Sequence, residues 1–326
     1  MRAAWRDAWG GPEVVSVRDV EVPEPSRDEV LVRLQAASVN RADLDTLKPE
    51  PAVLRLFLGP RKPRQKRVGI DAAGLVVGVG ENVTELKVGD RVFGDLYNYG
   101  AGAFAEYVTA PEKAWLRIPG PISVEDAATL PHSANLAIQG LRLRNGRTVN
   151  SGDRVLVVGA TGNVGPFAVQ LAKSRGAHVT AVGARDKTEL MHALGADEII
   201  DYRTTDYTRP AERYDWIVDV HAHHALGRWR QALKPRGVYQ AMGGSGWWLL
   251  SMAIAQPVYK LATRKTMGLM LSWKPFNPPD IQELSRLVSA GTLRPAIDRR
   301  FSLEDVAHAL AHVDQGRARG KVLITF

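Results

Sequence analysis

Apolar and polar positions alternate in short runs over the first third of the chain. Positions 14–20, 30–36, 75–79 and 103–109 each read as a strand bounded by Gly, Pro or acidic punctuation. The segment 87–94 reads as a turn followed by a strand. Many short strands joined by Gly-containing turns predict a barrel-like β-rich region. Near residue 120 the period changes. Ser123 with Asp126 three residues on marks a helix start, and 133–144 has helical spacing. From residue 154 strand and helix patterns take turns. Strands are expected at 154–158, 178–182, 198–200, 216–220 and 238–241, with helices at 164–175, 187–194 and 225–233. Such alternation specifies a parallel sheet covered on both faces, an α/β arrangement. The tail from 280 to 326 reads helix, strand, helix, strand.

One stretch breaks the pattern. Residues 247–255 (Trp-Trp-Leu-Leu-Ser-Met-Ala-Ile-Ala) are apolar on all sides, with Lys260, Arg264 and Lys265 behind them. They are too few to span a bilayer. An internal helix, a subunit interface, a cover over a lipophilic substrate and an interfacial membrane contact all fit.

Composition changes this picture in three ways. The chain has 326 residues, enough for two domains. It has no cysteine, which excludes disulfides, thiolate–zinc sites and a thiol nucleophile. Its formal charge is +8, and five of the basic residues fall between Arg61 and Arg67. A solvated loop explains such a run, as does an anionic partner. No nucleic-acid motif accompanies it, so nucleic acid is not an expected partner. The first residues lack the apolar core of a secretion signal, and the expected location is cytoplasmic, with peripheral membrane contact left open.

The chemistry is carried by Gly159-Ala160-Thr161-Gly162-Asn163-Val164-Gly165, which follows a strand and opens a helix. Glycine permits the tight turn and the approach of a pyrophosphate, and the helix start offers unpaired N–H groups to that anion. The second strand ends at Gly183, where NAD-binding folds place an acid for the ribose 2′-hydroxyl. Gly183 leaves room, and Arg185 and Lys187 suit a 2′-phosphate. Asp186 is expected to cap the following helix. The expected cofactor is therefore NADPH.

Taken in order, 38–43 (Ser-Val-Asn-Arg-Ala-Asp), 69–74 (Gly-Ile-Asp-Ala-Ala-Gly), 88–94, 102–107, the glycine loop, 194–197 and 318–322 resemble the medium-chain dehydrogenase/reductase superfamily, in its zinc-independent quinone oxidoreductase branch. The resemblance spans nearly the full length. It implies a GroES-like catalytic domain at 1–122, completed by 273–326, and a Rossmann domain at 123–272. It also implies a homodimer and a lipophilic small-molecule acceptor, a quinone or an α,β-unsaturated carbonyl. Zinc-using relatives carry Cys at the position of Asn40 and His at that of Asp71, so no metal is expected. His221, His223 and His224 lie where the family has a loop beside the cofactor. Without a metal, Asn40 is the candidate catalytic residue, its amide donating to the substrate oxygen, and Asp43 shapes the same loop. Tyr202, spaced from Lys187 as in NADP-binding members, joins the cofactor set, as do Gly243 and Lys321. Arg319 is a further candidate. Relatives often place Lys or Tyr shortly after the position of Asp43, where this chain has Leu44, Asp45, Thr46 and Leu47. They often carry Thr where it has Leu136, and Gly where it has Asn163. These departures motivate a second reading, a redox-silent NADPH-binding sensor or structural protein.

Overall fold

The computed structural model describes residues 1–209, 213–262, 265–270 and 273–326. The chain divides into two compact units: residues 1–135, 275–291 and 295–326, and residues 136–274 with 292–294. The first boundary between these units falls after Asn135. The helical segments Val124–Ala128 and Leu130–Ala134 belong to the β-rich unit, because their apolar faces pack on its sheet. Ser123 Oγ accepts from the Asp126 N–H at 3.0 Å, the expected cap.

The first unit is built on a seven-stranded sheet. Along it lie Ile297–Ser302, Lys321–Thr325, Glu29–Val39, Asp71–Val79, Arg91–Asp95 and Trp115–Arg117, and Tyr107–Pro111 also pairs with Glu29–Val39. Strands Arg2–Arg6 and Val15–Asp19 form a separate ribbon. Val32, Val76, Val92, Phe104 and Trp115 fill the core. Strand Asp71–Val79 begins four residues before the expected run at 75. Small residues there conceal it: a Cβ on Gly74 would lie 2.2 Å from the Arg33 carbonyl oxygen of the neighbouring strand. The strand expected at 103–109 is displaced to Tyr107–Pro111. The helix expected at 133–144 is a five-residue π-turn, Leu130–Ala134, leading into Asn135–Gly140.

The second unit holds a six-stranded parallel sheet. Its spatial order is Glu198–Asp201, His178–Gly183, Arg154–Val158, Tyr214–Asp219, Leu233–Ala241 and Thr266–Leu269. Numbered along the chain this is 3-2-1-4-5-6, the dinucleotide-binding order, whose direction reverses beside Arg154–Val158. That strand is a run of Val and Leu buried on both faces. Helix Gly165–Ser174, with Pro166 in its first turn, buries Phe167, Val169 and Leu171. The sixth strand has no counterpart in the sequence pattern: Thr-Met-Gly-Leu is too short to show a period. The apolar stretch before it becomes helix Gly246–Ala262. It is not apolar-buried all round: Met252 is buried, while Trp247, Leu250 and Ile254 are exposed. Arg264 and the Lys260 side chain lie outside the described residues. No helix among the described residues is long and apolar enough to cross a membrane.

Candidate active site

In the second unit the glycine loop takes the conformation its composition demands. Gly159 has φ +77°, which L side chains rarely adopt. A Cβ on Gly165 would meet the Gly159 carbonyl oxygen at 2.2 Å, so the helix can start there only with glycine. Gly162 differs. Its Cβ would touch only that same oxygen, at 3.6 Å, leaving open space above the loop. The first-turn side chains of Gly165–Ser174 carry no acid. Backbone N–H groups and a positive helix end facing open space suit a pyrophosphate. Ala160 and Thr161 are buried beneath the loop, and the Ala160 N–H donates to Val182 O at 3.1 Å. Asn163 is half-buried, and Val164 precedes the helix as its cap residue. Gly243 lies against the residue that follows strand Tyr214–Asp219, where a Cβ would sit 2.7 Å from Val220 O.

The strand end that selects the cofactor needs one correction. The room at Gly183 is already filled by protein: a Cβ would meet Met191 Sδ at 2.8 Å. A side chain there would have to displace the flexible end of Met191, which packs against Gly183 from the following helix. Arg185 is exposed, and Lys187 half-buried, on the turn that follows. Tyr202 is 51% exposed. Asp186 provides no cap, because the following helix Thr188–Ala193 has no side-chain cap bond. It pairs instead with Arg203 at 3.5 Å, whose guanidinium also lies over the Tyr202 ring at 5.7 Å. Arg203 is absent from the sequence-based set, because nothing in its spacing marks it. Its guanidinium offsets the charge of Asp186, and Asp201, in register with Gly183, is a second acid at this strand end.

The three histidine rings lie side by side, His223 4.0 Å from His224 and 5.6 Å from His221 between centroids, but they form no group suited to hold a metal ion among the described residues. The His221 N–H donates to Asp219 Oδ1 at 3.2 Å, His223 Nδ1 lies 2.8 Å from His221 O, and His224 Nε2 lies 3.1 Å from the Tyr207 hydroxyl. Asp219 is buried, accepts from the Tyr239 hydroxyl at 2.9 Å, and burial raises its pKa to about 6.

In the first unit, residues far apart in sequence meet in one buried polar cluster. Cross-strand register places Asp71 between Ser38 and Asp95. Ser38 Oγ donates to Asp71 Oδ2 at 3.0 Å, and Asn40 Nδ2 donates to the same oxygen at 2.9 Å and to Ser38 O at 3.2 Å. Asn40 Oδ1 accepts from Ser133 Oγ at 2.8 Å and from Lys321 Nζ at 2.6 Å. Lys321 Nζ also donates to Ser133 Oγ at 3.0 Å and lies 3.6 Å from Asp71 Oδ2. The Asn40 backbone N–H donates to Asp43 Oδ2 at 2.7 Å, and His132 Nδ1 lies 3.2 Å from Asp95 Oδ2. The π-turn presents His132 and Ser133, a use such turns often have. Lys321 is held at the start of its strand by its own N–H, which donates to Ala296 O at 2.7 Å.

Two expectations change here. Asn40 is 1% exposed, and both of its amide N–H groups are directed at protein acceptors. It organises the cluster rather than offering a donor outward. Lys321, expected at the cofactor, is also 1% exposed, with its amine committed to Asn40 and Ser133. Burial shifts this cluster toward neutrality. It raises Asp43 to about 7, and Asp43 Oδ1 accepts no hydrogen bond. Burial also pushes Asp71 up and Lys321 down. Burial alone would lower His132, but its bond to Asp95 and the charges of Asp95 and Asp71 raise it.

Comparison with known proteins fits this frame. Residues 26–120 match the alcohol dehydrogenase GroES-like domain, and residues 194–324 match a family described as zinc-binding dehydrogenase. A chloroplastic quinone-oxidoreductase homolog of Spinacia oleracea is 31% identical, over 97% of this chain and 95% of its own. A 2-methylene-furan-3-one reductase of Solanum lycopersicum is 31% identical, over 99% of this chain and 79% of its own. The solved quinone oxidoreductase of Coxiella burnetii superposes with a TM-score of 0.87 at 27% identity, covering 100% of this chain and 99% of that one. The chain belongs to the quinone oxidoreductase branch of the medium-chain dehydrogenase/reductase superfamily. It is an NAD(P)H-dependent oxidoreductase with a GroES-like and a Rossmann domain.

Within that superfamily a zinc ion is the first cofactor to test, since the description of one matching family names it. The residues do not fit. At the two positions where zinc-using members carry Cys and His, this oxidoreductase has Asn40 and Asp71. A lysine amine lies beside both, bonded to the first and 3.6 Å from the second. A cation close to the donors opposes a second one, and an amide oxygen and one carboxylate are a poor ligand set for Zn²⁺. No cluster of three His, Asp or Glu suited to a metal occurs among the described residues.

Proposed function

We propose that this oxidoreductase uses NADPH in preference to NADH, and reduces quinones or α,β-unsaturated carbonyls. The observation that carries the cofactor choice is the strand end at Gly183. Gly183 itself brings no carboxylate to a 2′-hydroxyl, Arg185 is exposed beside it, and Arg203 pairs with Asp186. Lys187 and Tyr202 complete the pocket for the 2′-phosphate, while Gly159, Gly162, Gly165 and the helix start hold the pyrophosphate. When bound, the reduced nicotinamide supplies the hydride. The acceptor class follows from the relatives, one named for a quinone and the other for a furanone whose exocyclic double bond is conjugated to a carbonyl.

Neither Asn40 nor Lys321 presents a hydrogen to the substrate in this reading. Their cluster fixes Asn40 at the start of helix Arg41–Leu47 and holds its charges away from water, and solvent supplies the proton that completes the reduction. The protein acts as a homodimer, joined along the edge strand Thr266–Leu269 of the parallel sheet. It works in contact with a membrane, where lipophilic quinones concentrate.

Stopped-flow oxidation of NADPH and NADH by a panel of quinones and enones tests the reading. We expect turnover with several acceptors and a clear preference for NADPH. One observation favours a redox-silent alternative: both Asn40 donors are committed inside the protein. Tight NADPH binding without oxidation by any acceptor would establish that alternative.

A further inference from the structure

The first unit carries an exposed apolar surface that neither the fold nor the cofactor explains. Val53, Leu54, Leu56, Phe57 and Leu58 are 55%, 40%, 62%, 74% and 48% exposed. Monomeric proteins rarely leave five such side chains together in water without a use. The backbone beneath them is well held. The Gly59 N–H donates to Arg55 O at 2.8 Å, and the Arg64 N–H returns to Leu58 O at 3.0 Å. Trp9 Nε1 donates to Gly59 O at 2.9 Å, and the guanidinium of Arg55 lies over the Trp9 ring at 5.9 Å. Gly59, at φ +127°, has the Lys62 carbonyl oxygen 2.0 Å from where a Cβ would be, so the bend requires glycine. The result is a closed loop, pinned at its base, with its apolar side chains outside.

Charge identifies what covers it. From Pro51 to Arg67 the chain has six basic residues and no acidic one. Arg61, Lys62 and Arg64, directly behind the apolar tip, are exposed. Asp7, which faces this neck, is already engaged by Arg18 and Lys66. An apolar tip with a basic neck is complementary to an anionic bilayer, whose acyl region takes the tip and whose headgroups take the cations. The exposed stripe Trp247, Leu250 and Ile254 lacks this pairing among the described residues, since Lys265 is bonded to the carbonyls of Arg230 and Leu233.

We propose that the loop 52–64 docks this protein onto an anionic lipid surface, with Leu56 and Phe57 inserted and Arg61, Lys62 and Arg64 against the headgroups. The proposal rests on the reading that the protein works at a membrane, and names the surface that does it. Co-sedimentation of the full chain with phosphatidylcholine vesicles, with and without phosphatidylglycerol, tests it at low and high salt. We expect binding to the anionic vesicles that weakens with salt. Leu56→Ser with Phe57→Ser should weaken it about tenfold or more, and Arg61→Glu with Lys62→Glu should remove the preference for anionic lipid. Trp247→Ser should leave it unchanged. These positions are exposed, so each variant should fold and keep wild-type turnover of a water-soluble quinone. If the wild type ignores anionic vesicles, both the membrane reading and this surface fail. If it binds them and the Leu56/Phe57 variant binds equally well, the surface alone fails. Loss of turnover with the soluble quinone in that variant would assign the loop to the acceptor, and conversion of a dimer to a monomer with vesicle binding intact would assign it to a second copy. Either result overturns the proposal.

Discussion

The glycine loop at 159–165 and the polar cluster around Asn40 are built by opposite means. The loop is seven consecutive residues whose shape follows from missing side chains: Gly159 supplies a positive φ and Gly165 a backbone contact no Cβ permits. The cluster is Ser38, Asn40, Asp43, Asp71, Asp95, His132, Ser133 and Lys321, brought together by strand register and one π-turn. One site is specified locally and stays open toward a ligand. The other is specified by the whole sheet and is closed to solvent. Local backbone demands suit a site that must bind, and long-range side-chain bonding suits one that must hold its shape.

The largest test of this contrast is Lys321→Met. It removes one member of a buried charged pair and leaves Asn40 Oδ1 and Asp71 without their lysine partner. The expected loss is about 3–5 kcal/mol, read by chemical denaturation. NADPH affinity should change little in the fraction that stays folded, because Lys321 serves the cluster. Retained stability with lost NADPH binding would return Lys321 to the cofactor.

What the sequence made legible divides along the same line. The parallel sheet, its helices and the glycine loop were readable because each depends on residues within a few positions. Thr266–Leu269 was not, because four residues carry no period. The strand from Asp71 was hidden by its small residues. Asn40 and Asp71 stood out by resemblance, but their contacts with Lys321 were hidden, since no spacing connects residue 40 to residue 321. Arg203 escaped for another reason. Its neighbour Tyr202 already accounted for that strand end, and the ion pair with Asp186 exists only once the turn at 185–187 is folded.

The carboxyls of the two units offer a second comparison. Burial raises Asp43 to about 7 in the first unit and Asp219 to about 6 in the second, from an unfolded value near about 4. A carboxyl whose pKa is raised by folding binds its proton more tightly in the native state. Its contribution to stability is complete below the unfolded pKa and is lost as pH rises through the folded one. Stability should therefore fall between about pH 4 and 7 on account of Asp43, and between about pH 4 and 6 on account of Asp219. Asp43→Asn should flatten the wider part of that slope and Asp219→Asn only the narrower part, each by up to about 1.4 kcal/mol per pH unit crossed. Denaturation midpoints measured across that range check both. Equal effects from the two variants would mean that the cluster is no more closed to water than the end of the parallel sheet.

The smallest effect bears on the residue hardest to foresee. Arg185 is exposed at the strand end, and Arg185→Ala should weaken NADPH binding about tenfold while leaving NADH unchanged, one charge-assisted bond being worth roughly that much. Arg203 acts differently: it holds Asp186 at 3.5 Å and stacks on Tyr202. Both partners are more than half exposed, so the pair itself contributes little to stability. Its removal nevertheless takes one cation away from Asp186, beside the place proposed for a 2′-phosphate. Arg203→Ala should then cost NADPH a few-fold in affinity, again without effect on NADH, and Asp186→Asn in the same chain should restore it. Titration of both nucleotides into the three variants decides the matter. If Arg203→Ala weakens both nucleotides alike, Arg203 shapes the loop rather than its charge. If the Asp186 change fails to rescue, Arg203 contacts the phosphate directly. Rescue would show that preference for the phosphate depends on silencing an acid as well as on supplying a cation, and only the first of these is invisible in a linear motif.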